Sequence, residues 1–311
     1  MRTDHYFDSC GEGKIHYCRW APDTQPRGIV QIVHGIAEYA ARYDEFARYL
    51  NGLGYLVVAE DHMGHGGSIS KETTQGYFAG GWFNAVADTY HLLMETKAEF
   101  PELPYVLFGH SMGSFMARTI LAKYPDSGIS AAVICGTGWM NPAVVTAGIA
   151  TGKLLCKLEG ERNPSKKMQT IAFGSYNAKV EHPRTTYDWL NRNSRCVDEY
   201  VTDPLCGFTA SAGLMRDMLT GISYIQSQNA LKAMRKDLPV FFIAGGDDPV
   251  GEYGKGVHRA AEEFRKVGME QVNVKVYPLC RHEILNEINK REIHRDVARW
   301  MGKYTDIPVE A

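Results

Sequence analysis

No apolar run in this 311-residue chain approaches the ~18 to 20 residues that crossing a bilayer requires. The opening residues, MRTDHYFDSCGEGK, contain no apolar core of the kind a secretory leader carries, so a cytoplasmic chain is expected. A basic excess is missing as well. The 34 Lys and Arg face 36 Asp and Glu, a net charge of -2, which argues against a dedicated nucleic-acid binder. The seven cysteines are odd in number, scattered and without a CxxC pair. That argues against a disulfide framework and a zinc site, and for reduced, mostly buried thiols. Repeats and low-complexity tracts are absent too, and 44% hydrophobic with 23% charged residues is the balance of an ordinary globular protein.

What is present is an alternation. Short apolar runs occur at Gly28–Val33, Tyr55–Ala59, Tyr105–Phe108, Ala131–Cys135, Val240–Ala244 and Val272–Tyr277, with helical patterns between several of them. The clearest helical segments are Arg42–Leu50, Phe83–Phe100 and Met112–Tyr124, the last stopping before Pro125. Strands apolar throughout and separated by helices predict an α/β fold with a mostly parallel sheet covered on both faces. Gly11-Glu12-Gly13 reads as a hairpin turn between two β-like stretches near the N-terminus.

Residues 139–233 break the alternation. They hold helix-like pieces (Val144–Leu158, Arg184–Asn191, Leu214–Gln226) and no comparable strand, which predicts a helical lid inserted before the last two strands. Residues 1–138 and 234–311 then form the core. Ligands in open α/β sheets bind beyond the carboxyl ends of the strands, where such a lid would lie. The insert carries eleven Lys and Arg against eight Asp and Glu, so it is +3 and the remainder -5.

Gly109-His110-Ser111-Met112-Gly113 follows one strand and opens a helix, the setting of a nucleophile elbow. Such a turn strains the serine backbone and lifts its hydroxyl above the sheet. A serine needs a base, and the base an orienting acid; in this type of fold they follow in the order acid, then histidine. Val240–Ala244 ends in Gly245-Gly246-Asp247-Asp248-Pro249, offering two adjacent acids. Val272–Tyr277 ends in Pro278-Leu279-Cys280-Arg281-His282-Glu283, placing a histidine on a loop before a helix predicted over Glu283–Met301. Two backbone N–H groups must face the developing oxyanion: Met112, after the serine, and Ile36, after the strand ending in His34-Gly35.

Other histidines fit this chemistry less well. His258 and His294 fall inside helical patterns, and an H-E-x-x-H metal motif would need histidine where Asn286 stands. Asp61-His62-Met63-Gly64-His65 is a Gly-containing loop after a strand, expected to be structural rather than a metal centre.

His34-Gly35-Ile36-Ala37-Glu38 with Arg42-Tyr43, then Asp61–Ser68, Gly109–Gly113, Asp248-Pro249-Val250 and Arg281-His282-Glu283 run in an order that resembles one family. That family is the monoacylglycerol lipase/lysophospholipase branch of the α/β-hydrolases, and the similarity extends over nearly the whole chain. Val201–Phe208 also looks like the bacterial lysophospholipase-like members. The resemblance implies an α/β-hydrolase fold and a serine carboxylic-ester hydrolase of single-acyl lipids, with no cofactor or metal. It assigns Ser111 as nucleophile, Asp248 (the acid before Pro-Val) as orienting acid, His282 as base, and Ile36 and Met112 as oxyanion donors. Tyr39 and Ser114 depart from the residues many relatives carry, which bears on substrate more than on chemistry.

Alternatives on the same scaffold are an amidase or peptidase, an acyltransferase, and a non-catalytic ligand-binding protein. A peptidase capturing a free α-amino group would want an acidic lid, against the +3 counted above, and a non-catalytic relative would usually lack a triad member. The apolar stretch Pro142–Leu158 with Lys153 and Lys157 is expected to pack over the pocket, with transient contact to a lipid surface as the second reading. Oligomeric state has no signal in the sequence.

Overall fold

A computed structural model describes residues 1–309. The strands are β1 (Arg2–Asp8), β2 (Lys14–Trp20), β3 (Gly28–Val33), β4 (Tyr55–Glu60), β5 (Tyr105–His110), β6 (Ala131–Cys135), β7 (Val240–Gly245) and β8 (Val272–Tyr277). They form one eight-stranded sheet in the order β1-β2-β4-β3-β5-β6-β7-β8. The β1–β2 and β2–β4 pairs are antiparallel and all others parallel.

The helices are α1 (Asp44–Gly52), α2 (Trp82–Glu99), α3 (Met112–Lys123), α4 (Pro142–Glu159), α5 (Lys166–Phe173), α6 (Ser194–Thr202), α7 (Ala212–Ile225), α8 (Gln228–Ala233), α9 (Lys255–Lys266) and α10 (Lys290–Thr305). Side chains alternate along each central strand. Val30, Val57, Val106, Val133 and Ile243 pack with α1 and α10. Their neighbours Ile29, Leu56, Leu107, Ile134 and Phe242 pack with α2, α3 and α9. Both faces of the sheet are therefore covered, which is why the inner strands read as largely apolar runs, while edge strand β8 (VNVKVY) alternates. This is the α/β-hydrolase architecture, with five helices, α4 to α8, between β6 and β7. Among the described residues no helix is long and apolar enough to cross a membrane.

Several boundaries differ from the sequence expectation. Arg42 lies in a 3-10 turn, Ala40–Tyr43, that leads into α1. Arg184–Asn191 is not helical apart from a single turn at Asp188–Leu190. Asp188 captures the Thr185 N–H and hydroxyl, and the Trp189 and Leu190 carbonyls accept from the His282 and Glu283 N–H groups, so a helix cannot use them. The last helix begins at Lys290 rather than Glu283. The buried Glu287 carboxylate takes the backbone N–H groups of Arg281, Arg192 and Ile288, holding the chain irregular before the helix. Helices α5, α6 and α8 were not anticipated, although each has a side-chain N-cap (Ser165, Asn193, Ser227) that marks such starts.

Candidate active site

Ser111 sits between β5 and α3 with φ 54° and ψ -121°, a left-handed conformation costly for a residue with a Cβ. The surrounding glycines allow it. A Cβ on Gly113 would collide with the Val33 carbonyl, and one on Gly109 with the Gly113 carbonyl. Strand and helix therefore close up, and the Ser111 side chain stands over Gly35, whose added Cβ would lie 3.5 Å from the serine Oγ.

Beyond the neighbouring strand ends, His282 Nδ1 lies 2.9 Å from Asp248 Oδ2, with both side chains buried. The other Asp248 oxygen accepts the Val250 N–H at 2.9 Å. Asp247 points to solvent, so of the two adjacent acids Asp248 is the one that meets the histidine. With Nδ1–H donating to the carboxylate, Nε2 is left as the basic nitrogen. Gly245 supports the arrangement, because a Cβ there would strike the Cys280 and Arg281 carbonyls of the histidine loop.

The Ile36 and Met112 N–H groups donate to no protein acceptor among the described residues. The loop that presents Ile36 is held by Glu38, whose carboxylate accepts the Gly35 N–H at 2.7 Å, and by an Ala37 backbone at φ 54°. Ser111, Met112, Ile36 and His282 line a cavity of about 810 Å³. Its lining includes the aliphatic and aromatic side chains of Phe115, Met140, Val144, Met215, Leu219 and Ile222, and the rings of Phe173, Tyr176, Tyr187 and Trp189.

The sequence motifs contain, but do not explain, a buried polar network beneath this cavity. Arg42 donates to Glu38 at 2.8 Å and forks onto both oxygens of Glu283 at 2.6 and 2.9 Å. Tyr43 and His110 also bond to Glu38, while His110 Nε2 lies 3.3 Å from the His282 carbonyl. Burial would raise the Glu38 carboxyl, but the His110 hydrogen bond and the Arg42 charge outweigh it and hold it well below its usual range. Burial would lower His110, yet bonding to Glu38 wins and raises it. An imidazolium suits this position because both ring nitrogens face acceptors. The network thus links the Ile36 loop, the residue before Ser111 and the residues flanking His282. Its partners are up to 241 positions apart, so only their joint presence in the motifs hinted at it.

The Asp61–His65 loop is tied to its surroundings by hydrogen bonds. His62 exchanges hydrogen bonds with the His34 ring and carbonyl, and His65 Nδ1 with the Met63 carbonyl. Asp61 accepts the Ala40 and Gly67 N–H groups. His62 Nδ1 lies 3.2 Å from Glu60 Oε1, and His65 Nε2 is buried without a protein acceptor among the described residues.

The family model described as "Serine aminopeptidase, S33" (Hydrolase_4) matches residues 24–289. The chain belongs to this family. It is 31% identical over 306 residues to a monoacylglycerol lipase from Mycolicibacterium smegmatis, covering 96% of this chain and 97% of that one. It is also 27% identical to the mouse monoglyceride lipase, over 94% of this chain and 91% of the relative. Among solved structures, a thermostable carboxyl esterase from Bacillus coagulans, in complex with glycerol, superposes with a TM-score of 0.87 at 28% identity, covering 98% of this chain and 99% of that one. The chain therefore lies in the monoacylglycerol lipase branch of the α/β-hydrolases.

Proposed function

We propose that this protein is a serine carboxylic-ester hydrolase that cleaves monoacylglycerols in preference to lysophospholipids. The observation that carries this reading is a largely apolar cavity, lined by Ser111 and His282, that offers no unpaired buried charge to a head group. Its charged lining residues are Glu38, Glu283, Glu252 and Lys166, together with His110, which is paired with Glu38. Glu38 and Glu283 are already paired with Arg42, and Glu252 and Lys166 are exposed. A phosphodiester would lose its hydration without gaining a buried cation, and a peptide α-amino group would find no unpaired buried acid. A neutral glycerol head group suffers neither loss. Trp189 Nε1–H, buried without a protein acceptor and next to His282, supplies a donor suited to a head-group hydroxyl. The related lipases and the esterase with bound glycerol support the same substrate class.

In this mechanism Ser111 Oγ attacks the ester carbonyl while His282 Nε2 takes its proton. Asp248 keeps Nδ1 protonated and the ring oriented. The Ile36 and Met112 N–H groups hold the oxyanion, and they act most strongly where water is excluded. His282 then protonates the departing alcohol, and water repeats the sequence to release the fatty acid.

Residues 139–233 act as the lid, with its helices α4 and α7 walling the acyl tunnel. Helix α4 buries Val145 and Leu155 but exposes Val144, Leu154 and Leu158, a surface suited to passing contact with a lipid aggregate. Rates on a monoacylglycerol and a lysophosphatidylcholine of equal chain length test the proposal. A kcat/KM at least ~10-fold higher for the neutral lipid, abolished by Ser111→Ala, is expected, since one uncompensated polar group costs ~1 to 3 kcal/mol. Equal rates on both would remove the head-group argument.

A further inference from the structure

Far along the sheet from Ser111, at the β1–β2 hairpin, three side chains meet that the hydrolase chemistry does not use. Asp4 pairs with Cys18 across the two strands, and His16 lies two residues from Cys18 on the same face. We infer that Asp4, His16 and Cys18 form a binding site for a divalent zinc-class cation.

The separations carry the argument. His16 Nε2 lies 3.1 Å from Asp4 Oδ1, Cys18 Sγ lies 3.5 Å from the same oxygen, and all three donor atoms fall within 4.8 Å of one another. A tetrahedral zinc with ordinary bond lengths to nitrogen, oxygen and sulfur has an N–O edge of about 3.3 Å and an S–O edge of about 3.5 Å. Two of the three edges therefore already stand at coordination spacing, and the third, between His16 Nε2 and Cys18 Sγ, lies within 4.8 Å. The ion would sit between the three side chains, and its fourth position would be open to water.

The surroundings orient these groups as a metal site requires. Asp61 Oδ2 lies 2.8 Å from His16 Nδ1, so that nitrogen carries the proton and Nε2 faces Asp4 and Cys18. A carboxylate behind a ligating imidazole fixes its tautomer and raises its basicity. Asp61 is itself locked by the Ala40 and Gly67 N–H groups, and Ser68 Oγ accepts the His16 N–H at 2.9 Å. The His16 side chain is 11% exposed and that of Asp4 48%, which provides a route in from solvent beside a buried Cys18.

Binding a dication releases the Cys18 thiol proton and leaves a thiolate on the ion. Arg2, 3.8 Å from Asp4 Oδ1, is the cation that the ion would displace from that carboxylate. A thiolate, an imidazole and one carboxylate select zinc, cobalt or cadmium over magnesium and calcium.

Titration of the full-length chain with Co²⁺ after chelator treatment tests this directly. One equivalent should bind with a thiolate-to-cobalt charge-transfer band, and Zn²⁺ should displace it and raise the melting temperature reversibly to EDTA. Cys18→Ser should lose the band while keeping esterase activity, and the more exposed Asp4→Asn should weaken affinity about tenfold or more. Binding without the band, a band that survives in Cys18→Ser, or no binding at micromolar Co²⁺ would each overturn the site.

Discussion

The insertion between β6 and β7 approaches the candidate active site in two different ways. Its middle, residues 188–207, is joined to the loops carrying Ile36 and His282 by directional polar bonds. The Trp189 and Leu190 carbonyls accept the His282 and Glu283 N–H groups, and Arg281 donates to the Asp188 and Asn191 carbonyls at 2.7 and 3.0 Å. On the other side, Tyr200 O–H and Gly207 N–H both donate to the Ala37 carbonyl at 3.0 Å, and Tyr39 bonds to Asp203. The flanks, α4 and α7, meet instead through close apolar contact, with Gly148 against Leu219. Hydrogen bonds fix distance and angle, whereas apolar packing fixes volume and tolerates exchange of similar shapes. The polar middle is thus suited to setting the geometry of the chemistry, and the apolar flanks to setting which acyl chain fits.

The strongest test of that division removes the proposed nucleophile. Ser111→Ala should lower kcat by ~10⁴-fold or more, and Asp248→Asn by ~10⁴-fold, while melting temperature barely changes for the first. Asp247→Asn, on the solvent side of the same turn, should stay within a few-fold of the parent. Steady-state kinetics with thermal melts on the three variants decide it, and the opposite ranking of the two aspartates would move the orienting role to Asp247.

Next in size is the network under the cavity. Arg42→Met strands Glu38 and Glu283, whose side chains are each 5% exposed. Breaking a buried pair by removing one partner costs ~3 to 5 kcal/mol, so urea unfolding should shift by that order, with kcat falling as the Ile36 and His282 loops lose their common tie. A loss of stability below ~1 kcal/mol would show the two carboxylates to be solvated in the native state. The same comparison predicts the opposite pattern for Leu219→Phe on the apolar flank. There the melting temperature should change little, while long-chain esters lose kcat/KM by about fourfold for each CH₂ excluded, and short-chain esters are spared. An equal loss across chain lengths would place Leu219 outside the acyl tunnel.

What the sequence revealed follows the same physical line. The inner parallel strands were legible because burial on both faces makes them apolar runs, as in Tyr105–Phe108 and Val240–Ala244, while the edge strand β8 (VNVKVY) alternates. The elbow was legible because only glycine fits at 109 and 113. The middle of the insertion was not, since Arg184–Asn191 has helical spacing but its backbone groups bond to partners about ninety residues away. Nor was the Glu38–Arg42–Glu283 network, whose members are ordinary charged residues until the fold buries them together. The Asp4–His16–Cys18 group escaped for a related reason. Its spacing is that of paired strands, not of a CxxC loop.

The smallest expected effect concerns the His110–Glu38 pair, which couples the elbow to the Ile36 loop. His110 is raised in the folded state, so it binds protons more readily folded than unfolded. Its contribution is fully present below the ordinary histidine value of ~6.5 and is lost as pH climbs through the raised folded value. Glu38 is depressed, so its contribution is present above the ordinary glutamate value of ~4.3 and is lost on acidification. The pair should therefore stabilise most between about pH 4.3 and 6.5. Melting temperatures of the parent and His110→Gln across pH 5 to 9 provide the check. The gap between them should be widest at the acid end and narrow steadily toward the alkaline end. A gap that holds constant or widens with pH would show that His110 is neutral in the folded protein, and that Arg42 alone compensates the Glu38 charge.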